Sequence, residues 1–81
     1  MQFKNLRRIK ELITKYNRHQ VSEKAELWFP IMFEDGQWSA WVVFGGHPEL
    51  EEMWEILDYV GEWGLYSYFG QLNGDIALYI Q

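Results

Sequence analysis

Two dipeptides constrain this chain more than any other feature. Asp35-Gly36 and Asn73-Gly74 each stand between two runs rich in aromatic and β-branched residues. Such pairs favour two-residue hairpin loops, because both central positions of a type I′ turn take positive φ. Residues 25–33 and 38–44 flank the first pair, and residues 65–71 and 75–80 flank the second. With Asp35 and Gly36 in the turn, Phe33 is expected opposite Trp38, Ile31 opposite Ala40, Phe29 opposite Val42 and Leu27 opposite Phe44. All four pairs are apolar and share one side of the sheet, and a one-residue slip would break that agreement. Around Asn73-Gly74, Phe69 is expected opposite Leu78, Gln71 opposite Ile76 and Ser67 opposite Ile80, with Tyr68 and Tyr79 paired on the other side. Pro30 has no N–H to give to a ladder, which assigns its strand to a sheet edge or a bulge.

Helical periodicity occupies the remainder. Residues 3–18 place Leu6, Ile9, Leu12, Ile13 and Tyr16 on one side and Lys4, Arg8, Glu11, Lys15 and Arg18 on the other. The polar stretch from Asn17 to Glu23 ends this helix. A second helix is expected to open at His47-Pro48, with Pro48 at its first position. Its apolar stripe reads Leu50, Met53, Trp54, Leu57 and Val60, and Gly61 and Gly64 mark its exit. The order α-β-β-α-β-β predicts one α+β domain over residues 1–81, a four-stranded antiparallel sheet with both helices on one face.

That arrangement leaves the other sheet face to Trp28, Met32, Trp41, Val43, Tyr66, Tyr68, Ala77 and Tyr79. A face that meets only water is normally polar. Aromatic residues with polar tips are enriched where proteins meet. Trp28, Trp41, Tyr66, Tyr68 and Tyr79 are therefore candidate partner-binding residues. Stacked rings on a sheet also suit single-stranded nucleic acid, but that needs nearby positive charge, and this part of the chain is acidic.

Charge is segregated along the sequence. All seven Lys and Arg residues lie within positions 1–24, opposed there by Glu11 and Glu23 alone. Residues 25–81 carry ten acids and no base, and the whole chain has a net charge of −5. The second helix aligns Glu51, Glu55, Asp58 and Glu62 in one stripe, with Glu52, Ile56, Tyr59 and Trp63 beside it. Neighbouring carboxylates at this spacing stand roughly 5–6 Å apart. The line matches the charge and pitch of nucleic-acid phosphates and suits a basic groove in a nucleic-acid-handling protein. It is the second candidate partner-binding surface. The bland reading is a solvated helix face whose charge the basic first helix offsets within the monomer.

Catalytic signals are sparse. The chain has no cysteine, which removes disulfides, thiolate metal sites and cysteine nucleophiles. His19 has no orienting acid near it in sequence. His47 and Glu51 are one turn apart if His47 is helical, but two ligands are too few for a metal site. Ser22, Ser39 and Ser67 sit in no nucleophile elbow. No cofactor and no metal is expected, and no run is long and apolar enough to span a bilayer. The amphipathic start is not expected to act as a signal peptide, and the lack of cysteine favours a cytoplasmic location. The expectation is a non-catalytic protein-binding domain. In its sharper form it is a small acidic inhibitor or adaptor, of the kind phages and mobile elements encode, that occupies a basic nucleic-acid-handling partner. The alternatives are a homodimer packed through its aromatic sheet face and weak nucleic-acid binding through the basic first helix.

Overall fold

The structure, a computed structural model, describes residues 1–18 and 25–81; His19, Ser22, Glu23 and Lys24 lie outside them. The elements run α1 (Phe3–Asn17), β1 (Ala25–Met32), β2 (Trp38–Phe44), α2 (Leu50–Glu62), β3 (Ser67–Leu72) and β4 (Asp75–Ile80). The strands form one antiparallel sheet in the order β1-β2-β4-β3, so the two hairpins join through their second strands. Both helices pack on one face, as the α+β reading expects. Ile9 of α1 and Val60 of α2 are fully buried with Leu78 and Ile80 of β4. Met1, Leu6, Ala25, Ala40, Val42, Phe44 and Ile56 complete this core.

Helix α1 is tied to the sheet at both ends. The Met1 nitrogen donates to the Trp38 carbonyl at 2.7 Å, and the Trp38 N–H donates to the Met1 carbonyl at 2.6 Å. At the far end the Asn17 side chain imitates a neighbouring strand. Its Nδ2 donates to the Ala25 carbonyl at 2.9 Å, and its Oδ1 accepts from the Ala25 N–H at 2.7 Å.

The second hairpin has the expected register throughout, including Tyr68 with Tyr79 and Phe69 with Leu78. Asn73 and Gly74 adopt φ of 53° and 86°, as a type I′ turn requires. The first hairpin differs. Phe33 and Gln37 close its loop through the Phe33 N–H and Gln37 carbonyl at 2.7 Å. The Gly36 N–H donates to the Phe33 carbonyl at 3.0 Å, while the Asp35 carboxylate accepts from the Gln37 N–H at 3.0 Å. Gly36 alone in the loop takes positive φ, 83°. The loop is thus three residues, a β-turn followed by a left-handed glycine, and the ladder is displaced. Ile31 pairs with Ser39 rather than Ala40, and Met32 rather than Phe33 pairs with Trp38.

A bulge then adds a second displacement. Phe29 and Pro30 together oppose the one residue Ala40, with Phe29 at φ 50°. Beyond it, Leu27 pairs with Val42 rather than Phe44, and Trp28 pairs with Trp41. Two one-residue displacements restore the original alternation. Leu27 therefore still faces the helices and Trp28 still faces away. Between loop and bulge the faces are exchanged: Ile31 joins the uncovered side, and Met32, expected there, lies on the helix side next to Trp38. The unpaired Pro30 sits on the edge strand, as its missing N–H demands.

Helix α2 begins at Leu50, not at Pro48, with Glu49 as its N-cap and the Glu52 carboxylate accepting from the Glu49 N–H at 3.4 Å. It is also turned relative to the expected stripe. Ile56 and Val60 are its buried residues, whereas Leu50 and Trp54 are 65% and 60% exposed. Met53, Ile56, Leu57, Val60 and Trp63 share the same helical spacing as the expected stripe, and packing against the sheet selects them.

Candidate protein interface

The bare side of the sheet carries a continuous line of rings. Trp28 is paired with Trp41, Trp41 with Tyr79, and Tyr79 with Tyr68, so one cross-strand row runs over all four strands. Directly opposed side chains are the contacts through which a sheet gains side-chain stabilisation. Trp41 and Tyr79 have ring centroids 5.2 Å apart, Tyr79 and Tyr68 5.2 Å, and Trp41 and Tyr68 6.1 Å edge-on. Tyr66 extends the cluster, 5.9 Å from Tyr68. It is held there because Tyr66 and Gln81 exchange both backbone hydrogen bonds, at 3.1 and 2.8 Å. Trp28 stands at the other end, edge-on to Phe29 at 5.7 Å. All five residues singled out in the sequence lie on this side.

The next row explains how large rings sit on a pleated surface. Glu26, Val43, Ala77 and Gly70 stand opposite one another across the strands. Val43 and Ala77 are buried although no helix covers this side, so the adjacent rings shelter them. Tyr68 leans the same way: a Cβ on Gly70 would stand 3.9 Å from its Cε2. The row is therefore a packed aromatic platform whose outer surface remains open, with Tyr66 64% and Tyr68 44% exposed. Two polar tips are already engaged. The Trp28 indole donates to Glu26 at 3.0 Å, and the Tyr79 hydroxyl donates to Gln81 at 3.2 Å. The charges that the strand alternation assigns to this side are Glu26 and Asp75, both acidic.

The second candidate surface lies in the opposite layer. Glu51, Glu55, Asp58 and Glu62 are all exposed, on the side of α2 turned away from the buried Ile56 and Val60. Ile56, expected to flank the carboxylates, is instead part of the core. The cations of α1 that reach α2 rest on rings: the Arg8 guanidinium lies 5.8 Å from the Trp63 ring centroid, and the Lys15 ammonium 5.8 Å from that of Tyr59. Basic and acidic helices thus lie side by side, and the acidic stripe faces outward on the side of the molecule opposite the rings.

Little else gathers chemistry. Among the described residues no three His, Cys, Asp or Glu side chains are grouped as a metal would need. His47 precedes α2, its Nδ1 3.2 Å from the Pro48 carbonyl, so the helical spacing that would join it to Glu51 is not formed. An open cleft of about 880 Å³ at the start of α1 is lined by Lys4, Arg8, Asp35 and Tyr66, and by Asn5, whose buried Oδ1 meets no donor among the described residues. Sequence reasoning did not place Ile31 on the bare side or Leu50 and Trp54 in solvent. No local signal marks the bulge residue count or the rotation of α2.

The described residues thus form a two-layer α+β fold with an aromatic sheet face that neither helix covers and an acidic helix on the far side. No protein-family model, no curated protein and no solved structure matches it.

Proposed function

We propose that this chain is a non-catalytic protein-binding domain that docks its partner on the bare face of the sheet, centred on Trp41, Tyr68 and Tyr79. The observation that carries this reading is the unbroken ring row from Trp28 to Tyr68, on the side that neither helix covers. Preordered rings lose little side-chain freedom on binding and offer a large apolar area. With Glu26 and Asp75 at its margin and no base on it among the described residues, the face suits an apolar patch with a basic rim and disfavours a phosphate backbone.

A second reading is supported by the four exposed carboxylates of α2. In it the domain is an acidic inhibitor that occupies a basic, nucleic-acid-handling protein. The two surfaces lie on opposite sides, so one flat partner engages one of them. Capture from the native host with three baits separates the readings: the unaltered chain, Tyr66→Ala/Tyr68→Ala, and Glu51→Gln/Glu55→Gln/Asp58→Gln/Glu62→Gln. Sheet docking predicts that the tyrosine variant loses the partner and the glutamine variant keeps it. The reverse pattern rejects sheet docking in favour of the acidic helix.

A further inference from the structure

We propose that the outer edge of β3 pairs with β3 of a second copy of this chain, about a two-fold axis at Phe69, to make one continuous eight-stranded sheet.

The two edges of the sheet are not equivalent. Edge strands normally carry a device that blocks strand addition: a charge, a proline or a bulge. Strand β1 has all three, in Glu26, Pro30 and the Phe29-Pro30 bulge. Strand β3, SYFGQL, has none. Its outward groups follow from its inner pairing. Tyr66 and Gln81 exchange both bonds, and bonded pairs alternate along an antiparallel ladder. Tyr68 and Gly70 therefore turn their backbone groups inward to β4. Ser67, Phe69 and Gln71 turn theirs outward.

That outward set is symmetric about Phe69. In an antiparallel pair of copies, Phe69 meets Phe69, and Ser67 of each copy meets Gln71 of the other. No charge on the strand opposes this match. The helix layer supplies a second self-matching feature on the same side. Helix α2 faces α1 through Tyr59 and Trp63 and packs over β3. Leu50 and Trp54 are half a turn round from those contacts, on the flank of α2 turned away from α1, 65% and 60% exposed. A two-fold axis at Phe69 brings this flank of each α2 to the same side of the contact.

The size of the contact sets its strength. Six residues give about 20 Å of edge, and a strand layer with a helix layer above it is about 20 Å deep. The footprint is on the order of 400 Å² per copy, about half that of a standard interface. A micromolar rather than nanomolar dimer is expected, and it leaves both aromatic rows open on the same bare side.

Sedimentation equilibrium of the full chain from about 1 μM to about 1 mM tests this, combined with amide hydrogen exchange at both ends of the range. The expected result is a dimer in which the Ser67, Phe69 and Gln71 amides slow with concentration while those of Tyr68 and Gly70 do not change. Gln71→Pro removes an outward N–H, costs no bond to β4, and is expected to weaken the dimer at least about tenfold. A chain still monomeric at the highest concentration overturns the proposal. So does a dimer whose Ser67, Phe69 and Gln71 amides exchange at the monomer rate. The exchange measurement needs no substitution and decides the matter even if the proline variant does not fold.

Discussion

At the scale of single residues, the bare sheet face depends on small side chains beneath large ones. Ala77 has no exposed surface although it lies on the uncovered side, because the rings of the neighbouring row lean across it. Ala77→Leu is expected to cost about 1–3 kcal/mol, the usual range for overfilling a packed position, and to alter the near-ultraviolet circular dichroism of the aromatic row. Denaturant titration with that spectrum checks both effects; an unchanged spectrum would mean the rings do not rest there. The contrast between Asn73 and Asp35 is of the same scale. Asparagine accepts a left-handed backbone, and Asn73 does so at φ 53°, which is why the second turn was readable from its dipeptide. Asp35 instead spends its carboxylate on the Gln37 N–H and leaves the left-handed position to Gly36. A dipeptide rule does not distinguish these outcomes, since both satisfy the backbone locally.

At the scale of elements, the sequence was sufficient wherever one periodic pattern excluded the others. It gave six elements in the right order and both helices on one face. It missed the rotation of α2, because two stripes at helical spacing are available in residues 50–63 and only contact with the sheet chooses between them. The connection between α1 and β1 was also hidden in the sequence, since Asn17 reads there as a helix terminator. In the structure its amide is the hinge pin between the two elements, with two bonds to Ala25. Asn17→Ala is expected to lower stability by about 1–3 kcal/mol, the net worth of two partly buried hydrogen bonds. Asn17→Asp, which keeps the acceptor but turns its second oxygen against the Ala25 carbonyl, should lose at least as much. Thermal melts of the two variants measure the difference, about 4–8 °C per kcal/mol for a chain of this size.

At the scale of the whole molecule, the two layers divide the surface into an aromatic side and a charged side. Oxidative footprinting of the partner complex reads that division directly. Sheet docking predicts that Trp41 and Tyr68 become shielded while Trp54, in the helix layer, stays reactive. Shielding of Trp54 with Trp41 unaffected would assign the contact to the helix layer. The division itself rests on β1, where the row keeps Trp28 only because Phe29 and Pro30 share one place opposite Ala40. The strand is one residue longer than the distance it spans. Removing Phe29 should therefore let the remaining residues pair straight through, with Trp28 still beside Trp41 and a left-handed backbone position gone. This hairpin has a spare length of one: loss of a single codon at that point is expected to leave the fold and its ring row intact, whereas most strands have no such slack.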